Sequence, residues 1–374
     1  MAGTDVTTIP PEDKEYYGGI SFWNHFELVY RRLNERATGD PDTFWYQRLE
    51  REGHHFKRGL ALNCGNGWVE RDLLRIGLVD EVVGIDISVD ALEEARRQAA
   101  AMGARARYER VDINVDSLPD GEFDLVINYA ACHHVAALDR VLRQIVSQMP
   151  RHGLFVNWDY IGPHRNQYTA RQWERAWEVN QRLPESLRQQ MHYPDIETML
   201  QQDPTEAVHS ELIVPTIERY FDIISFRPLG GAVGYLLLTH NLPFYSAPLD
   251  EVREWIERVM DSDDAFLREA PEETLFAYFL ARPRQDDIPP SDLARWTKDE
   301  ADRELTAKAN GGEYYPRTFL SQMYQASEAV SVRRALMQRW PRAAAAYRRT
   351  RSLKPGSAAR SRQRSRAPKS SANG

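Results

Sequence analysis

The chain has 374 residues, of which 42% are hydrophobic, so it can bury one large core or two smaller ones. Its net charge of −7 gives the molecule as a whole no general attraction for nucleic acid. Its two cysteines, Cys64 and Cys132, cannot form a disulfide framework, and neither belongs to a CxxC pair, which argues against a structural zinc site.

The sequence carries no targeting or membrane signal. The N-terminus MAGTDVTTIPPEDKEYY lacks a basic region followed by an apolar one, and no run approaches 18 apolar residues. We therefore expect no signal peptide, no membrane span and a cytoplasmic protein.

Residues 1–52 are predicted to form an N-terminal helical cap. The segment SFWNHFELVYRRLNER, from about Ser21 to Arg36, places apolar residues at helical spacing. The residues TGDP break this pattern, and a second helix is predicted at 42–52.

Short apolar runs then alternate with helical patterns, as expected of strands joined by helices. The predicted strands are 59–63, 81–85, 106–111, 123–128 and 153–158, and the predicted helices are 68–76, 89–102 and 138–149. Ser88 is a suitable N-cap for the helix at 89–102. This alternation predicts an α/β fold with a doubly wound, mostly parallel sheet that binds its ligand at the carboxyl ends of the strands.

Beyond the fifth strand the pattern becomes irregular. Residues 160–215 are rich in Gln, Arg, Trp and Tyr, and we predict a helical insertion that covers the site. Strand-like runs at 221–227, 234–239 and 274–281 would extend the sheet, and an amphipathic helix is predicted at 249–260.

The C-terminal part is predicted to consist of a helical extension at 286–347 and a disordered basic tail at 348–374. The tail has nine Lys or Arg residues, no acid and almost nothing to bury. The tail is either an arm that binds nucleic acid or an anionic membrane, or an extension that only increases solubility. We favour the solubilising extension.

The stretch LALNCGNGWVE, Leu60–Glu70, predicts a strand that runs into a glycine turn and then a helix. It lacks the third glycine of a dinucleotide loop and the Lys-Ser/Thr pair of a P-loop. Gly65 and Gly67 allow the backbone to turn sharply and approach a ligand closely. The helix that begins near Trp68 would point N–H groups at that ligand.

This loop and the order of elements resemble the class I S-adenosylmethionine-dependent methyltransferases over about residues 55–285. In that family the loop usually reads D-x-G-x-G-x-G, an acid followed by three glycines. In this chain Ala61 occupies the position of the acid and Asn63 occupies that of the first glycine. The resemblance implies a Rossmann-like, seven-stranded methyltransferase domain at 53–285 with S-adenosyl-L-methionine as cofactor. The loop residues that would contact it are Asn63, Cys64, Gly65, Asn66 and Gly67.

The resemblance also implies cofactor contacts at the ends of the next three strands. Asp86, 19 residues beyond Gly67, would hold the ribose hydroxyls, although it could instead be a helix cap or a surface acid. Asp112 would accept from the adenine amino group, with Asp116 as its competitor. The remaining predicted contacts are Ile87 and Ile113 at the adenine and Asn128 near the methionine end.

The segment NYAACHHVAALDRVL resembles the family's segment after the fourth strand, and this resemblance implies that His133 and His134 lie beside the transferring methyl group. A histidine there could take a proton from a substrate hydroxyl, because its pKa lies near working pH. The doublet could also only shape the cofactor pocket. We predict no metal site, since no third ligand is near the pair in the sequence.

The segment NWDYIGPHRNQYT follows the fifth strand, where a substrate must arrive. Asp159, Tyr160, Arg165 and Gln167 are predicted to contact it, and His164 is a further catalytic candidate; the alternative is a polar loop that turns at Pro163. Such groups suit a polyhydroxylated acceptor such as a sugar. The segment resembles bacterial methyltransferases that lie beside or are fused to glycosyltransferases.

The predicted function is in-line methyl transfer from S-adenosylmethionine to a small-molecule acceptor. Two alternatives remain. The irregular residues Ala61 and Asn63 are also compatible with an inactive scaffold or regulatory domain, and the basic tail with an RNA or protein methyltransferase. The sequence leaves the acceptor and the oligomeric state open.

Overall fold

The computed structural model describes residues 22–284, which contain seven strands and eleven α-helices. The strands are β1 (Phe56–Leu62), β2 (Val79–Asp86), β3 (Ala106–Arg110), β4 (Leu125–Tyr129), β5 (Leu154–Tyr160), β6 (Phe221–Gly230) and β7 (Phe276–Pro283). The helices of the first half are α1 (Glu27–Thr38), α2 (Trp45–Arg51), α3 (Trp68–Arg75), α4 (Val89–Met102) and α5 (Leu138–Gln148). Those of the second half are α6 (Ala170–Asn180), α7 (Ile196–Gln202), α8 (Ile213–Tyr220), α9 (Gly234–Leu238), α10 (Leu242–Ser246) and α11 (Leu249–Glu269).

The strands form one sheet in the order β3-β2-β1-β4-β5-β7-β6. Strands β1 to β5 run parallel, and β7 is antiparallel to both of its neighbours. The strand order reverses between β1 and β4, so their carboxyl ends flank a crevice, which is where open α/β sheets bind ligands. The predicted doubly wound, mostly parallel seven-stranded fold is confirmed.

Helix α4 shows why the sequence predicted the first half of the sheet well. The hydroxyl of Ser88 accepts a hydrogen bond from the N–H of Ala91 at 3.3 Å and so caps the helix start. Gly103, with φ of 65°, ends it in the left-handed conformation. Both bounds predicted for this helix, 89–102, are confirmed.

The strand predicted at 234–239 is wrong, because helix α9 occupies this position. A short apolar run fits a buried helix as well as a buried strand. Here Gly230 and Gly231, with φ of 77° and 108°, turn the chain out of the sheet. The carboxylate of Asp263 then accepts three N–H groups at the start of the helix, at 2.8–3.1 Å, which stabilises it.

The N-terminal helix α1 packs against β6 and α11 and is held there by ion pairs. Arg36 on α1 contacts Asp263 at 2.8 Å and Asp264 at 2.5 Å, and all three side chains are largely shielded from solvent. This anchors the beginning of the described chain against its second half.

Three of the predictions fall on residues that the structure does not describe. They are the start of the N-terminal cap before residue 22, the helical extension at 286–347 and the basic tail at 348–374. Over residues 22–284, no helix combines the length and the hydropathy that a membrane span requires.

Candidate functional site

A cavity of about 310 Å³ lies at the carboxyl ends of β1, β4 and β5. On one side it reaches the glycine loop at Asn63 and Cys64. On the other side it reaches His133 and Tyr160. Residues 22–25, ahead of α1, close it from the N-terminal side.

The glycine loop has the backbone that the sequence predicted. Asn63, Gly65 and Gly67 all have positive φ, of 43°, 55° and 72°. Asn63 thus adopts the left-handed conformation, and its amide donates to the carbonyl of Ala131 at 3.2 Å. A Cβ on Gly67 would lie 2.4 Å from the hydroxyl of Tyr108, so only glycine fits there without displacing the tyrosine.

Asp86 binds the glycine loop directly. Its two carboxylate oxygens accept from the N–H groups of Gly65 and Ser88, each at 2.8 Å. A carboxylate can accept about four hydrogen bonds, so capacity remains for ligand hydroxyls. Asp86 is therefore both a loop-positioning residue and a candidate contact.

The other residues predicted at the adenine lie beside Asp86, outside the cavity. Ile87 is 54% exposed at the end of β2. Asp112 accepts from the N–H of Asn114 at 3.0 Å, and Ile113 is buried. The cavity therefore covers only the methionine and acceptor sides of the predicted site.

Glu70, on the first turn of α3, is a cavity residue that sequence reasoning missed. It is buried, and its Oε1 finds no oxygen or nitrogen donor among the described residues; the thiol of Cys64 lies beside it. Burial raises the pKa of Glu70 to about 7. Glu70 lies three residues before the apolar Leu73, and this helical spacing could have placed Glu70 on the buried face of α3.

Aromatic rings form much of the rest of the cavity wall. Trp68, Tyr129 and Trp158 cluster near the loop, with ring centroids 5.3 Å apart for Trp68 and Tyr129. Trp23 and Tyr160 line the opposite side. Electron-rich ring faces attract cations, so this wall suits a positively charged group.

Asn128 and Asp159 form the polar floor behind the histidine pair. Asn128 is fully buried and does not line the cavity; its amide donates to Asp159 at 3.0 Å. Asp159 in turn accepts from Nδ1 of His133 at 2.6 Å and from the N–H of Tyr160 at 2.8 Å. This network fixes the orientation of the His133 ring.

The two histidines have opposite electrostatic environments. Burial lowers the pKa of His133, but the adjacent Asp159 carboxylate outweighs it and raises the pKa to about 9. Burial and the neighbouring His133 lower the pKa of His134. Nε2 of each ring lies 3.8 Å from Oε2 of Glu206, a residue far along the chain. The folded protein therefore brings a third possible ligand, Glu206, to the histidine pair, which the sequence alone did not predict.

The residues predicted after the fifth strand separate into two groups. Asp159 and Tyr160 line the cavity. His164, Arg165 and Gln167 are buried in the following turn and do not line it; Arg165, for example, donates to the backbone carbonyl of Glu206 at 3.2 Å. Of these three, Arg165 is bound directly to the backbone of Glu206.

The remaining loop residues lie near the cofactor side. Cys64 lines the cavity, and burial raises the pKa of its thiol well above the usual range, so it is no reactive thiolate. Asn66 is buried, and its backbone carbonyl accepts from Arg71. Cys132 is buried and has no disulfide partner.

Residues 60–153 match the sequence model of the methyltransferase domain family. The chain is 28% identical over 123 residues to a malonyl-[acyl-carrier protein] O-methyltransferase of Legionella pneumophila, covering 32% of this chain and 40% of that protein. It is 29% identical over 152 residues to a 2-phytyl-1,4-naphtoquinone methyltransferase of Trichormus variabilis, covering 39% of this chain and 66% of that protein. The chain thus spans less than two thirds of either relative.

Among solved structures, an S-adenosylmethionine-dependent methyltransferase of Mesorhizobium loti aligns with 63% of this chain and 97% of its own, at 17% identity and a TM-score of 0.38. The sheet order, the glycine loop with Asp86 and the match over residues 60–153 agree with one another. Residues 60–153 thus carry a methyltransferase domain, and the sheet order agrees with the S-adenosylmethionine-dependent class that the sequence predicted.

Proposed function

We propose that this protein transfers a methyl group from S-adenosylmethionine to an oxygen of a small-molecule acceptor. The observation that carries the proposal is the continuous cavity between the glycine loop and the Asp159–His133 pair. A cofactor seated on the loop and an acceptor beside the histidines would share this space.

The residues present fit the cofactor. When bound, S-adenosylmethionine supplies a methyl group on a sulfonium, which is a good leaving group. The aromatic wall at Trp68, Tyr129 and Trp158 suits that positive charge. Asp86 keeps acceptor capacity for the ribose hydroxyls, and Asp112 stands at the end of the next strand for the adenine.

Glu70 supplies the acid that the loop lacks at Ala61. Its carboxyl group is buried at the cavity and its Oε1 has no oxygen or nitrogen donor among the described residues. A buried carboxylate whose neighbour is a weak thiol donor is costly, and an ammonium would satisfy it better. We propose that Glu70 meets the ammonium of the cofactor's methionine part. The acid that is absent at position 61 would then be supplied by Glu70 instead, which weakens the case for an inactive scaffold.

The acceptor side favours a small molecule with exposed oxygens. Relatives in the comparison methylate, by their names, a malonyl-acyl carrier protein and a phytyl-naphtoquinone. Here the far end of the cavity holds His133, His134, Asp159, Tyr160 and Glu206, which are hydrogen-bonding or charged groups. A sugar or another hydroxylated metabolite of the cytoplasm suits this wall. The macromolecular alternative depends on the basic tail, which lies outside the described residues.

The residues of this chain would contribute to methyl transfer mainly by positioning the two reactants and shielding them from bulk water. The aromatic rings and residues 22–25 line the cavity and would limit the access of bulk water to bound reactants, and the loop would fix the donor side. Holding two reactants in line can account for roughly 7–11 kcal/mol of a barrier. The polar wall at His133 and Asp159 would orient the acceptor oxygen toward the methyl group.

Calorimetric titration with S-adenosylmethionine and with S-adenosylhomocysteine tests the proposal. Both should bind to the full chain, and Asp86→Ala should weaken binding by roughly 10-fold or more, since charge-assisted hydrogen bonds contribute about 1.5–3 kcal/mol. Asp90→Ala, an exposed acid on the first turn of α4, is the matched control and should bind as the wild type does. A folded protein that binds neither compound would refute the proposal.

A further inference from the structure

The histidine doublet and a distant glutamate converge at the acceptor end of the cavity. His133 and His134 form a short turn after β4, and Glu206 lies in the segment between α7 and α8. One ligand atom from each residue, two ring nitrogens and a carboxylate oxygen, lie within 4.8 Å of one another. A backbone hydrogen bond of 3.0 Å from Val208 to the carbonyl of His133 ties the two segments together.

Each histidine ring is held through its Nδ1 in a way that leaves Nε2 available. The carboxylate of Asp159 can only accept, so Nδ1 of His133 donates to it at 2.6 Å. The hydroxyl of Thr205 donates to Asp203 at 2.9 Å, so its oxygen accepts from Nδ1 of His134 at 3.3 Å. Each ring therefore presents Nε2 toward Glu206, and an ion bound there would displace any proton that Nε2 carries.

The glutamate is oriented by a neighbour of its own. Oε1 of Glu206 lies 3.5 Å from the amide of Asn166, which leaves Oε2 toward both rings. Histidines that donate one nitrogen to a carboxylate or hydroxyl while the other binds a metal are the usual outer-shell arrangement of metal sites. The supporting hydrogen bonds of such a site are therefore already present.

We propose that Nε2 of His133, Nε2 of His134 and the carboxylate of Glu206 bind a divalent transition-metal ion. Two histidines and one carboxylate on one side of an ion leave its other positions open to the cavity. Ligand atoms about 2.1 Å from a common ion lie roughly 3–3.5 Å apart, so the separations of 3.8 Å to Glu206 and of up to 4.8 Å within the set must shorten when an ion binds. The nitrogen and oxygen donors suit zinc, cobalt, manganese or ferrous iron rather than a thiolate-seeking ion.

The consequence for the reaction rests on the proposed methyl transfer. An ion at this point would hold an acceptor hydroxyl and lower its pKa, which replaces a free histidine as general base. The hydroxyl proton would pass to solvent water, the oxygen–methyl bond would form and the methyl–sulfur bond would break. The acceptor class is then a small molecule with a hydroxyl group next to a second oxygen, because two adjacent oxygens can occupy two open positions.

Cobalt(II) titration of the chelator-treated full chain, at about pH 8 where histidines ligate more readily, tests the site. We expect one equivalent to bind with visible d–d absorption, and Glu206→Gln and His134→Ala to weaken binding by roughly 10-fold or more. His192→Ala, an exposed histidine of the same insertion, is the matched control and should bind cobalt as the wild type does.

S-adenosylhomocysteine binding separates this inference from the proposed function. If Glu206→Gln binds that compound normally but cobalt poorly, the variant is folded and the metal site is supported. Equal cobalt affinity in Glu206→Gln and the wild type would overturn it, as would a sulfur-to-cobalt charge-transfer band, which would place the ion on a cysteine. Cobalt binding without binding of the cofactor product would support the metal site and refute methyl transfer.

Discussion

Replacing Glu70 with Gln should make the ligand-free protein more stable at neutral and alkaline pH. The pKa of this carboxyl group is about 7 in the folded protein because it is buried, against an ordinary 4.5. Below pH 4.5 the group is protonated in both states and contributes nothing to the pH dependence. Between these two values the unfolded chain loses the proton first, so stability falls as pH rises.

The size of this effect follows from the pKa values. Each tenfold difference in proton affinity is worth roughly 1.4 kcal/mol, so an ionised Glu70 costs the folded protein about 3 kcal/mol above pH 7. Glu70→Gln cannot ionise and avoids this cost. Its free energy of unfolding relative to the wild type should therefore rise by about 3 kcal/mol from acidic to alkaline pH.

Urea unfolding of both proteins across this pH range measures the difference. Glu93→Gln, which removes an exposed carboxylate from α4, controls for the loss of one charge and should stay within about 0.5 kcal/mol of the wild type. If the curves of Glu70→Gln and the wild type run parallel with pH, the buried carboxyl group does not titrate as reasoned and the argument fails.

The same carboxyl group gives a second readout with ligand. If it meets the methionine ammonium, S-adenosylhomocysteine binding at about pH 6 ionises it and releases close to one proton. Calorimetry in two buffers with different ionisation enthalpies measures this release. Wild type that releases no more protons than Glu70→Gln would place the ammonium elsewhere.

The remaining predictions concern the loop and the anchor of the N-terminal segment. Gly67→Ala should weaken S-adenosylhomocysteine binding in calorimetry and should destabilise the protein more than Gly103→Ala does. Both glycines have positive φ, but only at Gly67 would the new Cβ meet Tyr108. Equal effects of the two substitutions would show that the Tyr108 side chain moves aside without cost. Asp263→Asn should lower the free energy of urea unfolding by about 3 kcal/mol, because it removes one partner of the buried Arg36. Asp261→Asn, in an exposed ion pair, should cost less than about 1 kcal/mol. Similar losses in both variants would contradict the anchoring role of Asp263.

Local sequence signals were sufficient for the parallel half of the sheet. Helix α4 was predicted to the residue because Ser88 and Gly103 mark its two ends chemically. The run at 234–239 carried no such marker, and its helical start depends on Asp263, which lies in another helix. Its conformation is a tertiary effect that no local pattern contains.

The residues of the candidate site also fall into those that local sequence patterns predict and those that only the folded chain brings together. Asn63 and Asp86 follow motif spacing, and the structure binds Asp86 to Gly65 of the same loop, whereas their contacts with a cofactor stay predictions. Glu206 could not be paired with His133 from the sequence, because a folded loop brings them together. Arg165 and Gln167 were polar residues at a promising position, but the turn buries them against backbone carbonyls.

The cavity is built from two parts of the chain. The glycine loop, His133 and His134 come from residues 60–153, the part that matches the family model, whereas Trp23, Tyr160, Glu206 and Phe276 come from outside it. Substitutions at Trp23, Tyr160, Glu206 and Phe276 can therefore reshape this part of the cavity wall without altering the segment that matches the family model.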